Sequence, residues 1–332
     1  MGTMRQFHPL ALVALASFVL IGLAAAGQSC CERPDLAVAT FTDHSSWVYG
    51  VAWSPRGDLA ASGGWDSIVR VWDPDRHQLV YTLTGHLSWV HTVAFHPGGA
   101  LLASGARDHT IFLWDMNTGR ELRRLYGHSG TVTGLAFSPD GALLASASGD
   151  GTVRLWDTRT WATVRTLTGH EGEVLCVAFS PAGATLATGG EDTTIRLWDV
   201  ASGRLLRTLW GHQAALRALA FSPDGRYLGG VSVLWNARLW DLTTYRTVRE
   251  FPSPGLRSYS AAFSPDGRYF AVGRQDATIR VWDIATGAEA RVLTGHRGGV
   301  LGLAWSPDGR ALISGSADNK VKLWDVRDLV SP

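Results

Sequence analysis

The chain has 332 residues, with 30 Lys and Arg against 29 Asp and Glu, and only three cysteines. Near-neutral charge excludes the large basic stripe of a general nucleic-acid binder. Three cysteines provide no disulfide framework, so the core must come from packing, which a unit of about 300 residues can supply.

The first 27 residues differ from everything after them. Arg5 is the only formally charged side chain of Met1–Gly27, and Pro9–Ala26 is apolar except for Ser17 and ends in Ala24-Ala25-Ala26. This pattern predicts a signal peptide or membrane anchor over residues 1–27, then a linker over 28–35. Lipidation at Cys30 is a third reading, although Gly27-Gln28-Ser29 lacks the Leu-type residue of a lipoprotein box. All three place the rest of the chain outside the cytoplasm, whether secreted, periplasmic or membrane-anchored; a start placed too early is the remaining alternative. Cys30, Cys31 and Cys176 show no metal-type spacing, and Cys176, between Leu175 and Val177, reads as a buried thiol. No cofactor or metal is expected.

Residues 36–41 form the next apolar run and are followed by a repeat. Trp72, Trp114, Trp156, Trp198, Trp240, Trp282 and Trp324 lie 42 residues apart, each followed by Asp. The third copy runs from Gly127-His128 through Val132 to Phe137, then Ser138-Pro139-Asp140-Gly141, and ends in Val153-Arg154-Leu155-Trp156-Asp157. Short alternating apolar runs separated by turn residues read as strands. In Ser-Pro-Asp-Gly, Pro presets φ, Asp bonds nearby backbone N–H groups and Gly accepts positive φ. A second turn precedes each Trp-Asp strand, and a fourth strand follows, such as residues 78–83 or 246–251. Four antiparallel strands per copy make a sheet that cannot bury both faces alone.

These residues resemble the WD40 repeat family: Gly-His near the start of a copy, Trp-Asp at its end, and a period of about 40–45 residues. The resemblance covers residues 36–326 and implies an all-β fold, a seven-bladed β-propeller of four-stranded antiparallel blades around a channel. The tail, 327–332, is too short for another outer strand. The missing strand is therefore expected at residues 36–41, pairing with the last blade near Val321 to Trp324 and closing the ring.

Five copies carry a polar quartet at constant offsets: His44/Ser62/Asp66/Trp72, His86/Ser104/Asp108/Trp114, His128/Ser146/Asp150/Trp156, His170/Thr188/Asp192/Trp198 and His296/Ser314/Asp318/Trp324. A hydrolase triad uses the same residue types, but it needs one exposed nucleophile beside an oxyanion site, not one set repeated around a ring. The resemblance implies a structural role: Asp to His, His to hydroxyl, hydroxyl to Trp. The fifth copy keeps His212 and Trp240 but has Gly230 and Leu234 in place of the hydroxyl and the Asp. The sixth keeps Asp276 and Trp282 but has Pro254 and Val272. This reads either as tolerated drift or as a distinct docking surface on blades 5 and 6, and His212 is expected to lack its acceptor.

Family geometry implies that the Gly-His loop and the turn before Asp share one rim, the top. There the resemblance places Trp47, Tyr49 and Trp65 in blade 1, and Trp89, His91 and Arg107 in blade 2. Blades 5 and 6 bring Arg217, Trp235, Arg257, Tyr259 and Gln275, whereas Thr131, Gly149, Gly299 and Ala317 keep blades 3 and 7 small. Trp, Tyr and Arg are the types enriched in interface hot spots. The expected function is a non-enzymatic scaffold, itself monomeric, that binds a protein or peptide on this rim. A channel enzyme or small-ligand binder and an envelope assembly component are the alternatives. No phosphate loop, zinc-protease helix or nucleophile elbow occurs.

Overall fold

The computed structural model describes residues 34–234, 236–252 and 255–330. The leader and linker expectations, together with Cys30 and Cys31, fall on residues 1–33, outside the described residues. The described chain forms seven four-stranded antiparallel sheets, each a run of four consecutive strands except the last. Blade 1 comprises Val48–Trp53, Ala60–Gly64, Val69–Asp73 and Gln78–Leu83, from the axis outward. First strands of successive blades touch one another, and those of blades 7 and 1 complete the circle.

The first turn of each blade sets the hairpin. In blade 3 the Gly141 amide donates to the Ser138 carbonyl at 2.8 Å, while the Ser138 hydroxyl donates to Asp140 at 2.6 Å. Gly141 sits at φ 71°, the left-handed conformation that this position demands. The second strand is lined with small residues because the neighbouring blade presses on it. A Cβ on Gly63 would lie 2.6 Å from Val90 of blade 2.

The apolar clusters form between blades. One joins Val69, Val71 and Leu83 of blade 1 to Val90, Leu102 and Trp114 of blade 2. Another joins Phe41, Val321 and Leu323 to Val48, Ala60 and Trp72, across the seam of the ring.

The ring closes through the N-terminal segment, as the sequence predicts, but the strand is shorter than 36–41. It spans Ala39–Phe41 and pairs antiparallel with Val321–Asp325, with Thr40 opposite Lys322. Just before it the Val38 amide still donates to the Leu323 carbonyl at 2.8 Å, while the Leu36 amide donates to the Thr294 carbonyl at 2.9 Å. The chain ends its described part in one helical turn, Arg327–Val330.

A buried cation holds the seam. Lys322 is 2 % exposed, and its ammonium donates to Asp35 and, at 3.0 Å, to the Thr40 hydroxyl. Asp35→Ala would leave that charge with one neutral partner, which destabilises a buried ion. Because Asp35 is largely exposed, the expected loss is about 1–2 kcal/mol in urea denaturation. Adding Lys322→Leu should recover most of it; a double variant no better than the single would exclude the ion pair as the cause.

Candidate functional site

The quartets are hydrogen-bonded chains that tie the strands of each blade together. In blade 3 the Trp156 indole donates to Ser146 Oγ at 2.8 Å, and that hydroxyl donates to His128 Nε2 at 2.7 Å. His128 Nδ1 then donates to Asp150 at 2.8 Å. Asp150 also accepts from the Ser129 and Thr152 amides and the Thr152 hydroxyl.

The same chain runs through four other blades. In blade 1 the Trp72 indole donates to Ser62 Oγ at 2.9 Å, and Ser62 Oγ donates to His44 Nε2 at 2.8 Å. In blade 2 Ser104 Oγ lies 2.8 Å from both the Trp114 indole and His86 Nε2. In blade 7 Ser314 Oγ accepts from Trp324 at 2.7 Å and donates to His296 at 2.8 Å. Thr188 is the hydroxyl of blade 4, between Trp198 and His170. Blade 1 adds Arg70, which donates to Asp66 at 2.8 Å.

Ser62, Ser104, Ser146, Thr188 and Ser314 are all 0 % exposed. Although these residues stand among the candidates, they belong to the blade interiors and not to any surface that a partner or substrate could reach. The hydroxyl, imidazole and carboxylate follow the hydrogen-bond order of a hydrolase triad, but each hydroxyl is enclosed and also accepts from an indole, so no substrate carbonyl can approach it. The physical reason is their place on second strands, which the next blade covers.

Burial pushes the Asp150 carboxyl up, but its bonds from Thr152 and His128 outweigh that and hold it down at about 2. Burial holds His128 below the ordinary imidazole range despite Asp150. In blade 5 nothing opposes burial. His212 Nε2 is enclosed without a hydrogen-bond partner, and burial with the Arg238 charge pushes its pKa down to about 3. In blade 6, Val272 is buried and Asp276 bonds Thr278, while Pro254 lies outside the described residues.

The top rim is organised by two backbone devices. Each first strand carries a bulge, so that Tyr49, His91, Arg217 and Tyr259 are the unpaired extra residues of blades 1, 2, 5 and 6. Bulges re-aim side chains, and here they do so beside the channel. The second device is a backbone bridge between the two top loops of a blade. The Trp65 amide donates to the Trp47 carbonyl, and the Arg107 amide to the Trp89 carbonyl, both at 2.8 Å.

These bridges bring the aromatic residues of blades 1 and 2 into one column. Trp47 stacks on Trp65 with centroids 4.6 Å apart, and Trp65 stacks on Trp89 at 4.0 Å. The Arg107 guanidinium lies 4.4 Å over Trp89. Tyr49 lies parallel to Trp65 at 5.4 Å and tilts against His91 at 5.1 Å. Each such contact contributes about 0.5–1.5 kcal/mol. The three tryptophans are therefore half-buried by one another rather than standing free in solvent.

Arg217 belongs to the channel mouth. Its charge acts on Tyr49 and His91 of blades 1 and 2, across the ring, and on Glu173 of blade 4. Burial, reinforced by Arg217 and Arg107, pushes His91 down to about 4, so it is neutral at pH 7. Burial raises Tyr49. Arg257 and Gln275 share the blade 6 bridge, where Gln275 Oε1 accepts from the Arg257 amide at 3.2 Å. Trp235 lies outside the described residues.

Sequence reading passed over blade 4. Glu173 and Glu191 occupy the bridge positions that hold tryptophans in blade 1, with the Glu191 amide donating to the Glu173 carbonyl at 2.9 Å. Burial, and then the charge of Glu191, raises the Glu173 pKa. The constant 42-residue offset from Trp47 and Trp65 would have found them. Among the described residues, no group of three or more His, Cys, Asp or Glu could hold a metal, and no helix is long and apolar enough to cross a membrane. A cavity of about 310 Å³ lies between blades 5 and 6 beside the Gly267 turn, lined by Tyr227, Val248, Arg249 and Arg268.

A family model for the IFT122 first beta-propeller matches residues 150–330. The model of the WD domain, G-beta repeat, matches residues 36–73, 77–115 and 119–157. The chain belongs to the WD40-repeat β-propeller family. No curated protein matches it significantly. WD40 propellers are generally non-enzymatic scaffolds for protein contacts, and the quartets described above are the part of this WD40 chain that holds its blades in shape.

Two outcomes follow for the quartets. Asp150→Ala strands the His128, Ser129 and Thr152 donors and should cost about 2–4 kcal/mol in chemical denaturation. The second concerns pH. The folded pKa of His212 is lowered, so the unfolded chain takes up a proton between about pH 6.5 and 3 that the folded chain refuses. Its stabilising contribution is complete above pH 6.5 and is lost as pH falls toward 3. His212→Gln should therefore flatten the decline in stability between pH 6.5 and 4.5, by up to about 1.4 kcal/mol per pH unit. An unchanged slope would show that His212 is not the neutral buried group described.

Proposed function

We propose that this WD40 propeller is a non-enzymatic scaffold that grips a protein or peptide partner on its top rim. The observation that carries this is the Trp47, Trp65, Trp89 and Arg107 column. It presents large aromatic area from a rigid ring, so little conformational entropy is lost on binding. Aromatic and Arg side chains in such a setting are the groups that dominate interface energies. The column also lies outside the inter-blade clusters, so the ring does not depend on it for its core.

The same proposal places the propeller outside the cytoplasm as a monomer, because Pro9–Ala26 has the composition of a signal peptide or anchor. No nucleic-acid partner is expected from the charge balance.

In-cell crosslinking of the wild type and of Trp47→Ala/Trp89→Ala/Tyr259→Ala tests the docking surface. The expected result is loss of one specific partner with a melting temperature within a few degrees of wild type. An unchanged partner set with the triple variant would sink rim docking.

A further inference from the structure

Several cations among the described residues are paired. Arg70, Arg124, Arg226, Arg268 and Arg280 pair with carboxylates, and Lys322 with Asp35. Arg107 is spread over the face of Trp89. Arg217 forms no ion pair, and its Nε, like those of Arg154, Arg196, Arg274 and Arg280, is enclosed without a hydrogen-bond partner; of these five it alone stands on a first strand. It sits on the bulge of its first strand, at the mouth of the channel, half-buried. The side chains that feel its charge across that mouth are Tyr49, a neutral His91 and Glu173. Glu173 is near enough to be influenced but does not bond it, and its carboxyl is already burdened by Glu191. A second orphan donor lies in the same cluster: Trp65 Nε1, on the ring parallel to Tyr49, is enclosed with no acceptor.

An unpaired guanidinium among half-buried aromatic rings is short of an acceptor, and its planar fork matches a carboxylate or a phosphate. Glu173 beside it repels added negative charge, which favours the single charge of a carboxylate over the near-double charge of a phosphate group. We propose that the channel mouth is a receptor for the carboxylate side chain of an Asp or Glu, presented by an acidic segment of the partner protein and seated on Arg217 near Tyr49. The aromatic column beside it would carry the apolar residues flanking that acid. This deepens the rim-docking reading and rests on it. It assigns the mouth a specificity that the column alone lacks, because a rim of rings discriminates poorly between sequences.

The test uses the full chain and a random 12-residue peptide library. Panning on the wild type should enrich Asp or Glu at one fixed position next to aromatic or aliphatic residues. For a synthetic peptide from that set, Glu→Gln in the peptide should weaken binding at least tenfold, and so should Arg217→Gln in the protein. Combining the two should cost little more than either alone. Arg217→Lys keeps the charge without the fork and should fall between. Melting curves of both variants establish that they fold.

Enrichment of Lys or Arg would overturn the proposal in favour of the blade 4 acids. Binders that need Trp47 and Trp89 but ignore both Glu→Gln and Arg217→Gln would remove the carboxylate receptor and leave rim docking intact. No binders at all would remove both. Displacement of the peptide by sodium glutarate at equal concentration would assign the mouth to small carboxylates and overturn the peptide source.

Discussion

A blade of this ring has two apolar faces and no core of its own, so burial happens only where one blade meets the next. Val90 of blade 2 rests over Gly63 of blade 1, and Val132 of blade 3 over Gly105 of blade 2. That close approach explains why second strands are built from Ala, Ser and Gly, although these are poor strand formers in isolation. It also explains the rigidity of the top face. Side chains on different blades keep their spacing because each blade is gripped from both sides.

Within a blade the constraint is polar. The indole, hydroxyl, imidazole and carboxylate chain links the third strand, the second strand and both top loops. Loss of it in blade 5 leaves His212 and Trp240 in contact through their rings alone, with centroids 5.2 Å apart. The blade still closes, because its faces remain covered by Leu216, Leu228 and Leu239. In this blade burial against its neighbours carries the fold without the quartet, which elsewhere ties the top loops to the second and third strands. Arg217 stands on one of the two blades that lack the full quartet.

Much of the architecture was legible because one period governs it. The Trp-Asp spacing, the Ser-Pro-Asp-Gly turns and the leftover strand at the N-terminus define blade number and closure without reference to side-chain packing. The start of the closing strand was less legible, since Asp35 pairs with Lys322 and the Leu36 amide with the Thr294 carbonyl, contacts between residues far apart in sequence. At the rim, residue types could be read but their mutual geometry could not. Trp47, Trp65 and Trp89 are recognisable as rim residues, whereas their stacking depends on backbone bridges that period alone does not reveal. Arg217 was visible as one Arg among many; its lack of a partner is a property of the folded mouth. Glu173 and Glu191 were missed because attention to aromatic rings passed over blade 4.

The seam also has a kinetic meaning. Thr40 and Lys322 meet across 282 positions of chain, whereas an ordinary hairpin joins strands about ten residues apart. Loop-closure entropy makes the seam costlier than such a hairpin by about 3 kcal/mol. Three ladder residues, one ion pair and the Phe41 ring must overcome that difference. Contacts of such high sequence separation raise the contact order, which slows folding. The ring is therefore a structure whose first strand has no ladder partner until the last strand of the chain is in place.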